Sequence, residues 1–250
     1  MTRHQTWISA LSFTFVTFAA SYASAQAPAP PPHKIWDAAA SVGISSTSGN
    51  SDTSQVNAGY DLVYDPLTSN IVKSNALFLR GKNSGTLASQ RLLWQVRDEH
   101  KLNARSYVFG QNQYLRDQFK QITYLDALTA GIGFKAVTTP RTTLDVDAGA
   151  GGVFEKNTFG SLKKSGAITA GEKLQHKLTA TTSLTESVTA LWKTQDFNDA
   201  LYTFGAGVSV AVSGRTQLKF EVLDVYKNKP PSAAVKKSDL ATVIAIVFKS

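Results

Sequence analysis

The sequence has 250 residues, with 26 Lys and Arg against 18 Asp and Glu, a formal net charge of +8 and no cysteine. Charged residues make up only 18% and hydrophobic ones 42%, too few charges for an ordinary soluble surface and too little apolar content for a helical membrane protein. The absence of Cys excludes disulfide frameworks, thiol nucleophiles and Cys-ligated metals, and no basic run reads as a nucleic-acid footprint.

The N-terminus reads as a secretory signal over residues 1–25. Arg3 gives the positive start, residues 8–20 form a charge-free apolar stretch, and Ala23-Ser24-Ala25 supplies a small-x-small cleavage site. The apolar stretch is shorter than the ~20 residues a spanning helix needs. Residues 26–34, QAPAPPPHK, form a Pro/Ala tether with nothing to build a core, and His33 sits there as a solvated side chain. From residue 35 to 250 the chain reads as a single domain. No stretch of 18 apolar residues occurs in it, so the exported protein is either soluble or inserted by strands.

Period-two alternation dominates that domain. Val56, Ala58, Tyr60, Leu62 and Tyr64 oppose Gln55, Asn57, Gly59 and Asp61. Ile122, Tyr124, Leu128, Ile132 and Phe134 share a face, with Asp126 the exception, against Thr123, Thr129, Gly131, Gly133 and Lys135. Leu144, Val146, Ala148, Ala150 and Phe154 oppose Thr143, Asp145, Asp147, Gly149 and Gly151. Tyr202, Phe204, Ala206, Val208, Val210 and Val212 oppose small or polar neighbours. Gly, Asn, Asp and Pro clusters break the pattern at 48–52, 65–68, 83–85, 139–140, 157–161, 196–199, 213–214 and 227–237. Weaker breaks fall at 102–103, 120–121 and 177–181. Eleven turns predict twelve strands.

Which face is outside decides between a soluble and a membrane barrel. Three features predict an all-β, antiparallel, up-and-down transmembrane barrel with large apolar residues toward lipid. The polar faces are rich in Gly, Ala, Ser and Thr rather than Lys and Glu. Aromatics fall near strand ends, at Trp36, Tyr60, Tyr64, Tyr114, Tyr124, Phe154, Tyr202, Tyr226 and Phe248, where an interfacial girdle belongs. The last segment alternates Leu240, Thr242, Ile244, Ile246 and Phe248, like the C-terminal strand that barrel-assembly machinery recognises. The expected partners are therefore outer-membrane lipid and that machinery, with no nucleic acid, and the barrel is expected as a monomer. A soluble periplasmic barrel binding an apolar ligand would instead place Tyr202, Phe204 and Val208 inside.

The charged residues on the polar faces, Arg91, Arg97, Glu99, Lys135, Asp145, Asp147, Lys193, Lys219 and Glu221, are predicted to line the lumen. Their interleaved signs would pair across it and narrow or close the passage; any flow would lean weakly toward anions. Lys163, Lys164, Lys227, Lys229, Lys236 and Lys237 read as loop charges open to solvent or lipid headgroups. A barrel-embedded lipid hydrolase would need His100 or His176 beside a serine and a carboxamide or carboxylate, yet no Gly-x-Ser-x-Gly elbow is present. Asp145 and Asp147 read as paired lumen charges rather than an acid–base pair. Gly49-Asn50-Ser51-Asp52 reads as a tight turn rather than a calcium loop. No enzyme activity, cofactor or metal site is expected.

Several motifs resemble one family in order: Ser48-Gly49-Asn50-Ser51-Asp52-Thr53 after a strand ending Val42-Gly43-Ile44, then Tyr114-Leu115-Arg116-Asp117-Gln118-Phe119, Ala130-Gly131-Ile132-Gly133-Phe134 and Asp147-Ala148-Gly149-Ala150-Gly151. The pattern, over roughly 40–248, is similar to the YdiY-like salt-induced outer-membrane proteins. The resemblance implies an outer-membrane β-barrel of unassigned molecular function.

Overall fold

The computed structural model describes residues 34–49, 53–83 and 86–250. The predicted signal, and the tether as far as His33, lie outside the described residues, as do Asn50, Ser51 and Asp52. Twelve strands follow one another: β1 (Trp36–Ser48), β2 (Thr53–Tyr64), β3 (Asn70–Asn83), β4 (Thr86–Lys101), β5 (Ser106–Asp117) and β6 (Ile122–Thr138). The second half is β7 (Thr142–Asn157), β8 (Leu162–Lys177), β9 (Thr182–Lys193), β10 (Asp196–Ala211), β11 (Thr216–Lys227) and β12 (Ser238–Lys249). Each strand pairs antiparallel with its sequence neighbours, and β1 pairs with β12 from Ala39↔Lys249 to Ser48↔Leu240, closing the sheet. Closure leaves no strand edge unpaired.

The turns explain why the chain reverses where it does. At the end that holds the start of β1 and the finish of β12, side-chain oxygens cap the turn backbone. Asn103 Oδ1 accepts from the N–H groups of Arg105 and Ser106, both at 2.8 Å. Thr139, Thr179 and Ser213 hydroxyls accept in the same way from the residues two and three positions on. Such local bonds give the backbone an alternative to the ladder, which is why these residue types terminate strands. One predicted break is displaced. The β9–β10 reversal occupies residues 194–195, and Asp196–Asp199 belong to the start of β10, where the register shifts between Asp196 and Ala200.

Along the paired body of the strands, odd-numbered side chains point inward and even-numbered ones outward. The outward set is large and apolar: Val42, Ile44, Val56, Leu128, Ile132, Phe134, Phe204, Phe220, Ile244 and Ile246 are all exposed. Tyr202 and Val208 alternate outward with Phe204, opposite to what an apolar-ligand barrel requires. Aromatic groups gather toward the rims. Trp36 lies 4.4 Å from Tyr64 at one end; Trp192, Tyr202 and Tyr226 form a chain at 6.0 Å spacings toward the other. Trp192 Nε1 donates to the Tyr202 hydroxyl at 3.0 Å, so the rings turn apolar faces out while their polar tips are satisfied. Asp126, the acid on the outward face, accepts from Asn112 Nδ2 at 2.7 Å. Ile122 departs from the expected pattern. A register shift between Ile122 and Tyr124 reverses its side and buries it in the interior with Leu115 and Leu125.

Candidate functional site

The interior is the candidate site, and its middle is organised by one arginine. Gly131, Gly133, Gly149 and Gly151 on β6 and β7 are odd positions without side chains on one wall of the lumen, and a Cβ added at any of them would stand 2.0 to 2.9 Å from its nearest neighbour. Tyr107 lies flat on that wall: a Cβ on Gly133 would stand 2.1 Å from its Cζ. Arg97 packs its guanidinium 3.6 Å from the Phe109 ring centroid. Its Nε donates to Glu99 (3.0 Å), Nη1 to Gln111 Oε1 (2.9 Å) and Nη2 to Asp147 (3.0 Å). Lys73 Nζ adds a 2.7 Å bond to Glu99. Two carboxylates on separate strands are thus tied to one cation inside the barrel.

The mouth remote from the chain ends of the barrel is laced across by two further clusters. In the first, Arg91 on β4 donates to Asp117 on β5 at 2.7 Å and reaches Asp239 on β12 at 3.7 Å. Lys120, in the β5–β6 turn, meets Asp239 at 3.0 Å and donates to the Lys237 carbonyl at 2.6 Å. Burial lowers the Lys120 ammonium from its ordinary value, against the raising effect of Asp239. In the second, Lys193 on β9 and Lys227 on β11 each bond both Glu155 on β7 and Asp199 on β10, at 2.6 to 3.0 Å. The fully buried side chains include Arg91, Lys120, Lys227, Glu155, Asp117 and Asp239. Residues 228–237 join β11 to β12 beside these clusters. Lys227 N–H donates to the Lys237 carbonyl and Val235 is buried.

Beneath the lacing the interior turns apolar. Leu115, Leu125, Val153, Ala167 and Leu191 pack together on one side, and Leu79, Leu223, Ala241 and Val243 on another. Leu93 packs against both groups and joins them. Several buried polar atoms near this layer have no hydrogen-bond partner, among them Ser45 Oγ, both polar atoms of the Asn57 side chain and both Nη atoms of Arg91.

The nine residues expected in the lumen therefore divide into groups. Arg97, Glu99 and Asp147 form the central knot, while Arg91 and Lys193 belong to separate clusters at the laced mouth. Lys219 and Glu221 pair with each other at 3.0 Å on β11. Lys135 and Asp145 are half-buried cross-strand neighbours on β6 and β7. The other members of the two mouth clusters, Glu155, Asp199, Lys227, Asp117, Lys120 and Asp239, are not among the residues expected in the lumen, although the strand residues among them hold odd positions. Lys227, expected as a solvated loop charge, ends β11 and is 1% exposed; two carboxylates compensate its burial. Lys163 and Lys164 likewise belong to β8.

His100 Nδ1 lies 2.8 Å from Asn70 Oδ1, and His176 Nδ1 2.8 Å from Thr142 Oγ1. Both histidines take even, outward positions at the rim of the chain-end side, and neither bonds a serine among the described residues. No group of three His, Cys, Asp or Glu is placed to hold a metal ion among those residues.

A family model described as "Protein of unknown function, DUF481" matches residues 40–249, and the chain belongs to that family. No curated protein matches it, so the YdiY-like name rests on the sequence motifs alone. Among solved structures the barrel is similar to the NanC porin, at 9% identity over 84% of this chain and 100% of that one, with a TM-score of 0.58. It is also similar to an outer membrane channel from Pseudomonas putida F1, at 13% identity over 88% and 97%, TM-score 0.51. The translocator domain of the autotransporter NalP from Neisseria meningitidis matches at 10% identity over 87% and 89%, also with a TM-score of 0.51. At these identities the likeness is one of fold.

Proposed function

We propose that the protein is an outer-membrane β-barrel, not an enzyme, whose lumen is a narrow passage held shut at one mouth. The observation that carries this reading is the pairing of faces. Even-numbered positions present Ile, Val, Leu and Phe outward, while Arg91, Lys120, Lys227 and their carboxylates are buried inside. An apolar exterior around a charged interior suits a bilayer and would aggregate in water. The longest turn, residues 228–237, lies at the laced mouth. Outer-membrane barrels carry longer loops outside and short turns toward the periplasm, so that mouth is assigned to the cell exterior. Entry from the periplasmic side is lined by Lys135, Asp145, Lys219 and Glu221, two charges of each sign. The likeness of fold to a porin and an outer membrane channel supports the same reading.

The test is single-channel conductance of the refolded chain in a planar bilayer under a salt gradient. Protein shown to be inserted is expected to be silent or to open briefly, and the double variant Lys120→Ala/Arg91→Ser is expected to open more often. A large, permanently open conductance in the unaltered protein overturns the closed-lumen reading. Failure of folded protein to enter bilayers overturns the membrane assignment.

A further inference from the structure

The second ion cluster does more than close the mouth: three of its members, Glu155, Lys193 and Asp199, form the floor of a cavity. The cavity, about 350 Å³, lies between the ends of β7 to β10 and residues 229–231. Its charges are unequal. Glu155 and Asp199 are matched by Lys193 and Lys227, and Asp196 by Lys229 at 2.6 Å. Lys163, which also lines the cavity, remains in excess. Lys163 has no hydrogen bond or ion pair among the described residues, whereas Lys164, the next residue of β8, points outward and lies over the outward Phe154 ring, at 5.8 Å. One uncompensated ammonium beside a neutralised floor makes a local field that attracts anions.

A second observation, independent of the charges, also points to a ligand. Asn157 lines the same cavity, is 7% exposed, and its Oδ1 has no hydrogen-bond partner. A buried carboxamide without a partner is costly unless something supplies one. The exposed Gln195 amide stands on the same wall, and Pro230 and Pro231 give an apolar side. An ammonium, an amide and a small apolar wall together match a hydroxylated ring that carries a negative group.

We propose that this cavity binds a small hydroxylated anion, a sugar acid or sugar phosphate, taken from solution at the mouth. The anionic group sits against Lys163, and a hydroxyl donates to Asn157 Oδ1. A phosphate on a membrane lipid presents similar chemistry, but Asn157 and Lys163 hold odd, inward positions and face away from the lipid. The assignment is independent of conduction, because binding is read in detergent solution.

The experiment is isothermal titration of the refolded full chain with D-glucuronate, D-glucose 6-phosphate, D-glucose and inorganic phosphate. Both charged sugars are expected to bind, glucose to give no measurable heat, and phosphate to bind more weakly than either charged sugar. Lys163→Ala is expected to weaken both charged sugars by at least about tenfold, or ~1.4 kcal/mol, and Lys163→Arg and the outward Lys164→Ala to retain them. Asn157→Ala is expected to weaken the sugars but not phosphate. Heat-modifiable gel mobility of each variant establishes that the barrel is folded. Absence of binding by both charged sugars, or binding that survives loss of Lys163, overturns the proposal. Phosphate binding as tightly as the sugars overturns the hydroxylated ligand. Binding only to lipopolysaccharide micelles overturns the soluble source.

Discussion

Replacing Glu155 by Gln tests whether the buried charges at the mouth bond one another. Glu155 Oε2 accepts from Lys193 at 2.6 Å and from Lys227 at 3.0 Å, while Asp199 uses its two oxygens for the same two lysines. The four side chains are between 1% and 12% exposed, so solvent screens them little. Two lysines against two carboxylates are neutral. Glu155→Gln keeps the volume but strands one ammonium, and breaking a buried pair in this way costs about 3–5 kcal/mol. Lys227→Met strands a carboxylate instead, at a similar cost. In the double variant Lys193 and Asp199 remain as a matched pair at 2.6 Å, so the double cost falls short of the sum by about 2 kcal/mol, as for residues of one network. Guanidinium unfolding in lipid vesicles, followed by tryptophan fluorescence, measures each free energy by linear extrapolation. Additivity within ~0.5 kcal/mol refutes the reasoning, for it means that each group is satisfied by water and the mouth is wet.

Two further outcomes follow from the outer face and the rim. Ile132 is 66% exposed midway along β6, and Ile132→Lys is expected to destabilise the barrel in bilayers by about 2–4 kcal/mol, as for a charge near the midplane; the vesicle assay checks it, and an unchanged free energy argues that this face never meets lipid. At the rim, a hydrogen bond from Lys229 lowers the Asp196 carboxyl below its usual range, and Asp196 holds the Lys229 ammonium above its own. A lowered carboxyl gives stability that is present above the unfolded pKa and lost as pH falls through the folded one. A raised ammonium gives stability that is complete below its unfolded pKa and lost at higher pH. The contact therefore holds between roughly pH 4 and pH 10. Amides of residues 228–237 are expected to lose protection, relative to intrinsic exchange, as pH falls below that window, and Asp196→Asn to remove the dependence; equal protection in both proteins refutes it.

The walls of this barrel were legible in the sequence because alternation and turn chemistry are local. Asn103, Thr139, Thr179 and Ser213 mark reversals with their own side chains, and each break lies within a few residues of its turn. The filling of the lumen is not local. Glu155 and Lys227 are 72 positions apart, and Lys120 and Lys237 117 apart; polar residues beside a turn read as loop until closure sets them across a lumen. Ile122 was misplaced because a one-residue register shift reverses a side without altering composition. The interior leucines did leave a trace. Leu77-Phe78-Leu79, Leu92-Leu93-Trp94 and Leu191-Trp192 are apolar on both faces, the pattern of a strand buried on two sides. In a membrane barrel that pattern means lipid on one face and a filled lumen on the other.

That filling bears on conduction. An open passage must part Lys120 from Asp239 and Lys227 from Glu155 and Asp199, or carry each cluster aside intact. Water entering with the opening repays part of the cost, since the freed charges are then hydrated. If about 4 kcal/mol remains, the open state holds on the order of 0.1% of molecules, because each 1.4 kcal/mol is a factor of ten. A resident pore of that kind would be nearly silent at rest. A ligand raises the open fraction only by its preference for the open state. The second cluster is both the seal and the floor of the mouth cavity, so an anion that draws Lys193 upward from Glu155 would act on the seal directly. Occupancy of the cavity and frequency of opening are then one linked equilibrium, and loss of Lys163 should remove both responses together.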